Sequence, residues 1–225
     1  MGEIKQGKEG KKMKERRDLN KKVADLAIES LNAGNQKDAE KYILQLEQEG
    51  YAIKDLLVDM VHGLLTYIGK TYGEEKVTEG WEYAAEQFWT PAIEQFKTME
   101  PIEVISAFAA FHRGLGSEFK VEEGEDKATI TISGCGSGAK LLKEGKCENS
   151  DRHPINGGIF SKEKSCKMCG KDMITYYCVH GPVMYTQLPE KYGYGDQMKY
   201  EYGRQYDDDG NQVDECCQLT ISKKQ

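Results

Sequence analysis

At 225 residues and 25.4 kDa the chain has room for one medium domain or two small ones, and 31 Lys+Arg against 38 Asp+Glu leave it at −7, a poor balance for a nucleic-acid binder. Mean hydropathy is low at −0.69, yet thirteen Tyr, six Phe and two Trp supply side chains for a core, which excludes wholesale disorder. No run approaches the roughly 20 apolar residues of a membrane span, and the basic start is not followed by the apolar stretch of a secretory signal. The expectation is a cytoplasmic chain with no membrane and no nucleic-acid partner. Seven cysteines in a reducing compartment then read as thiols or metal ligands.

Residues 1–17 carry seven Lys/Arg against three Glu and read as a disordered basic arm. From Leu19 to Arg113 apolar residues recur at intervals of three and four, through Leu26, Ile43, Leu46, Ile53, Leu57, Met60, Leu64 and Ile68. Breaks are expected at Asn32 to Asn35, at Glu49-Gly50 and from Gly69 to Gly73, and Pro91 and Pro101 are placed in the first turns of two helices. That reading gives six helices over residues 18–114. His62, within the apolar helix, reads as a hydrogen-bonded core residue, and Trp81, Phe88 and Trp89 read as core.

Alternation takes over at Leu115. Phe119 and Val121, then Ala128, Ile130 and Ile132 around the turn Gly124 to Asp126, predict a β-hairpin. Residues 134–172 are rich in Gly, Lys, Ser and Cys and read as a loop needing a cross-link. Met173 to Cys178, Met198 to Tyr202 and Cys217 to Ile221 read as short strands. The fold class is α+β: a helical N-terminal half packed on a small, mostly antiparallel sheet, with a metal-clipped, loop-rich C-terminal half over 115–225.

Three clusters carry chemistry. Cys166-Lys-Met-Cys169 followed by Cys178-Val-His180 offers three thiolates and an imidazole to a tetrahedral ion, zinc by default, with Cys147 or His153 able to replace either downstream ligand, with iron or an iron–sulfur cluster as the alternative ion, and with a reduced or redox-active Cys-x-x-Cys as the reading without metal. In Gly134-Cys135-Gly136-Ser137-Gly138, glycines leave the thiol uncrowded and free backbone N–H groups to meet an anion, so Cys135 reads as nucleophile and Gly136 and Ser137 as substrate-binding. Cys216-Cys217 opens the last strand. If that strand pairs antiparallel with Ala128 to Ser133, one of the two thiols, taken as Cys217, points at Cys135. His112-Arg113, at the end of the last helix, supplies a base and a carboxylate anchor.

Tyr176-Tyr-Cys-Val-His-Gly-Pro182, Gln187-Leu-Pro-Glu190 and the Cys135 loop resemble segments of the L-2-amino-thiazoline-4-carboxylic acid hydrolase-like family, over roughly residues 50–222. The resemblance implies a helical front half, an α+β back half, and hydrolysis of a C–N bond in a small sulfur-containing heterocycle, with Cys135 at the position of the family's cysteine. Lys164 to Asp172, with its Cys-x-x-Cys, departs from the family. The expected function is therefore a small-molecule hydrolase, against a non-catalytic metal or small-ligand sensor and, third, a redox or cofactor-handling protein. Assembly with identical chains is compatible with each.

Overall fold

The computed structural model describes residues 21–148, 150–160 and 174–224. The chain divides into two compact units, residues 1–50 and 51–225. The first holds α1 (Val23–Asn32) and the beginning of α2 (Gln36–Tyr72). Its described buried side chains are only Ala27 and Ala39.

The second unit continues α2 and adds α3 (Glu75–Phe96), α4 (Pro101–Gly114), β1 (Glu118–Glu123), β2 (Lys127–Gly134), a short α5 (Gly138–Lys143), β3 (Met198–Glu201) and β4 (Cys217–Ser222). The strands form one antiparallel sheet in the order β1-β2-β4-β3. Alternation puts Ala128, Ile130 and Ile132 of β2 and Cys217, Leu219 and Ile221 of β4 on one buried face, which α4 covers with Val104, Ile105 and Phe108. An α+β architecture with helices on an antiparallel sheet is thus the observed fold.

The expected helix count and some boundaries change. The helical front of the described chain holds four helices rather than six, because Gly50 and Gly69 lie inside α2. Gly69 is required there by close packing: a Cβ would lie 2.4 Å from the Tyr176 ring. Gly73, at φ +104°, provides the actual break. Pro91 lies inside α3, whereas Pro101 does start α4, behind a capping box of Glu100 and Glu103.

Of the strand expected at Met173 to Cys178, the described residues keep one antiparallel bridge, Thr175 to Ile159, and Tyr176 begins a helical run. It opens as a 3-10 turn at Tyr176–Val179, widens to a π turn at Val183–Gln187 and closes as an α turn at Leu188–Lys191. Thr175 starts it by accepting the Cys178 N–H on its hydroxyl at 3.3 Å. Two indoles of α3 hold it: Trp81 Nε1 donates to the Tyr176 carbonyl at 3.0 Å and Trp89 Nε1 to that of Met184 at 2.7 Å. No described helix is long and apolar enough to cross a membrane.

Candidate functional site

Register builds the site. β2 and β4 pair with Cys217 opposite Ile132, so the start of one strand meets the end of the other. Cys217 faces inward and is buried, while Cys216 is turned away and partly exposed. Beyond β2 the chain bends through Cys135 to Ser137 and enters α5, where Gly138 passes so close to Cys178 that a Cβ would lie 2.3 Å from its sulfur. Cys135, Cys178 and Cys217 therefore border one narrow space together with His112, His180, Tyr185 and Tyr200.

Hydrogen bonds fix the Cys135 loop from several sides. The Cys135 N–H donates to Gln205 Oε1 at 2.7 Å, and Gln205 Nε2 meets Cys217 Sγ at 3.3 Å. Gln205 is fully buried and holds φ +67°, the left-handed region. Gly136 donates its N–H to Ser117 Oγ at 3.0 Å, and that oxygen is 3.2 Å from His112 Nδ1. Lys54 Nζ donates to the Gly136 carbonyl at 2.7 Å. Ser137 Oγ lies 3.2 Å from Cys135 Sγ and is also bonded by the Tyr177 phenol.

The imidazoles are neutral. Burial, helped by His180, pushes His112 down to about 4, and burial also lowers His180. His180 Nδ1 lies 2.8 Å from the Tyr177 carbonyl, which can only accept; Nδ1 therefore carries the proton and Nε2 is left basic. Burial raises the Cys178 and Cys217 thiols, and a charge on Cys135 would raise both further. Tyr200 hydrogen-bonds Cys217.

Beside this space opens a cavity of about 310 Å³, walled by Trp81, Phe88, Trp89, Phe108 and Phe111 and floored by Ser137, Tyr177, His180 and Tyr185. Trp89 is the centre of its aromatic packing, 5.7 Å from the rings of Phe96, Phe108 and Tyr185. Trp81, Phe88 and Trp89 thus wall a cavity rather than merely filling a core. Phe111, Ser137, His180 and Tyr185 border both this cavity and the thiol-lined space. Cys135 also borders a polar cleft with Lys54 and Lys140.

Of the expected site residues, the structure brings together Cys135, Ser137, Cys217 and His112, and adds Cys178 and His180, which were assigned to the metal. Gly136 serves the loop by closeness: a Cβ there would lie 1.9 Å from the Leu115 carbonyl oxygen. Arg113 is exposed and borders neither the aromatic cavity nor the thiol-lined space, because one residue beyond buried His112 the helix has turned by about 100°, toward solvent. Cys166 and Cys169 lie outside the described residues. Among the described residues no group of three or more His, Cys, Asp or Glu is arranged to hold a metal ion. His62 is a core residue as expected but has no well-formed hydrogen bond among the described residues, with a marginal contact to the Lys146 carbonyl.

Sequence periodicity alone missed Gln205 and Tyr177. Their role arises from long-range contacts, and the sequence signal was limited to a glutamine between turn residues and an aromatic pair before Cys178. Comparison with protein-family models, curated proteins and solved structures finds no match to this chain.

Proposed function

We propose that the protein is a thiol-dependent hydrolase acting on a C–N bond of a small, flat, sulfur- or nitrogen-containing molecule. The observation that carries this reading is the meeting of an aromatic cavity with Cys135 and two neutral imidazoles at shared residues Ser137 and His180. The aromatic walls suit a planar ring, and the polar end supplies a nucleophile and a proton acceptor. In the proposed step the Cys135 sulfur adds to an sp² carbon bonded to nitrogen while His180 Nε2 takes the thiol proton. The C–N bond then breaks, the proton passes to the departing nitrogen, and the acyl group remains on sulfur. Water adds to that carbon, the C–S bond breaks, and the thiol is regenerated. The Ser137 hydroxyl, 3.2 Å from the sulfur and itself hydrogen-bonded to Tyr177, would orient it, and Ser117 links His112 to the loop.

The test is an assay for released ammonia, amine or thiol with 2-aminothiazoline-4-carboxylate and simple amides, joined to mass spectrometry of the intact protein. Turnover that disappears in Cys135→Ser, with a mass adduct on Cys135 during turnover, supports the reading. Full activity in Cys135→Ser overturns it. Saturable binding in the aromatic cavity without product would instead support a ligand-binding protein, a reading favoured by the almost wholly aromatic walls.

A further inference from the structure

α2 has two apolar faces in the second unit, and among the described residues only one of them is covered. Val58, His62 and Leu65 face the protein interior and are buried. On the other side Ile53, Leu56, Leu57, Met60, Leu64 and Tyr67 are between 51% and 68% exposed. No charged residue interrupts that face: the exposed positions among them are Ala52 and Gly63. A solvated helix face of this length ordinarily carries Lys and Glu.

The spacing identifies the kind of surface. Ile53, Leu57, Met60, Leu64 and Tyr67 follow one another at steps of four, three, four and three residues, the 3.5-residue period of a seam that packs against another helix. A face buried by a globular core drifts toward 3.6. Gly63 stands on the seam's edge with open space where a Cβ would be, so a second helix can approach closely there.

We propose that this face is the dimer interface of the protein, covered by the same face of a second copy. The six side chains leave roughly 700 Å² exposed in each copy, close to the ~800 Å² per partner that a stable interface buries. An uncharged surface is self-complementary under a two-fold axis, since no like charges are brought together. A lipid surface fits less well: the chain carries −7, and Asp55 and Asp59 flank the face where a membrane-surface helix has Lys and Arg. The described residues of the first unit independently show little core of their own. It buries Ala27 and Ala39 while Ile28, Leu31, Ile43 and Leu46 stay about half exposed.

Sedimentation or light scattering of the full chain at about 50 µM measures the assembly directly. The expected mass is twice 25.4 kDa. Leu57→Glu with Leu64→Glu should return it to 25.4 kDa with an unchanged circular dichroism spectrum, since both side chains are exposed. Met60→Lys alone, a milder change on the same seam, should shift the monomer–dimer midpoint at least tenfold and covers the case in which the double variant does not fold. A wild-type monomer at this concentration, or a dimer that survives Met60→Lys with its midpoint unmoved, overturns the proposal. A monomer that binds phosphatidylcholine–phosphatidylglycerol vesicles, and loses that binding in Met60→Lys, overturns it in favour of a lipid surface.

Discussion

The backbone N–H of Cys135 donates to the side chain of Gln205, seventy residues away in sequence, over 2.7 Å. The same side-chain amide reaches Cys217, so one buried side chain holds the Cys135 loop to the last strand. Gln205→Leu removes both bonds and leaves the Cys135 N–H without its acceptor. It should cost about 1–3 kcal/mol in urea unfolding and, as the loop loosens, speed alkylation of Cys135 while slowing any turnover there. An unchanged midpoint would show that the loop is held by its other bonds.

Thiol labelling separates the cysteines. Cys135 is partly exposed, whereas Cys178 and Cys217 are buried with their thiols raised. Iodoacetamide at neutral pH should modify Cys135 before Cys178 and Cys217, which should stay unmodified in the folded state. Peptide mass mapping at short times checks the order.

Acid should destabilise the protein before its carboxylates titrate. His62 and His112 hold folded values of about 4 against 6.5 for an unperturbed imidazole, in both cases first because of burial. Between these values the unfolded chain binds protons that the folded chain refuses, so stability is complete above about 6.5 and falls as the pH drops toward 4. The loss is on the order of 3 kcal/mol from each imidazole. Urea titrations at pH 7, 5.5 and 4.5 read it, and His62→Gln should flatten the dependence. Because burial also lowers His180, the acid limb of any turnover that depends on it should lie below that of an ordinary imidazole.

The glycines around Cys135 differ in what they tolerate. Gly136→Ala would drive a methyl into the rigid Leu115 carbonyl and should abolish the folded loop, while Gly114→Ala, with open space at its Cβ, should be neutral or stabilising by up to about 1 kcal/mol. Thermal melts of the two variants make the comparison. If Gly136→Ala melts like wild type, the close approach at Leu115 is not a constraint.

Zinc analysis addresses the Cys-x-x-Cys. Cys166 and Cys169 are expected to hold about one zinc per chain, lost in Cys166→Ser. Since Cys178 and His180 face the Cys135 site, chelation should change turnover only if they also bind that ion. Elemental analysis before and after chelation, paired with the activity assay, distinguishes the two. Metal-free purified protein would remove zinc from the picture.

Where the pattern was local, the sequence was informative. Alternation in Ala128 to Ile132 and Cys217 to Ile221 was enough to find both strands, and their antiparallel pairing placed Cys217 beside the Cys135 loop. Helix continuity through Gly50 and Gly69 was not legible, because a glycine in a helix costs only about 1 kcal/mol and neighbouring periodicity outweighs it. The 176–191 run misled for a related reason: Tyr-Tyr-Cys-Val has strand propensity, which outweighed the local Thr175 cap, and the two indole clamps come from elsewhere in the fold. The packing of the Cys178 sulfur against Gly138 was not legible either, because the spacing of Cys178 and His180 contains nothing about that long-range contact.

The chain has only two tryptophans, and both wall the aromatic cavity with their N–H groups held by carbonyls of the 176–191 run. Their emission therefore comes from the cavity alone, with no distant indole to dilute the signal. A molecule entering it must change the polarity around one ring or the other, so an unlabelled compound collection can be screened by fluorescence before any substrate is known.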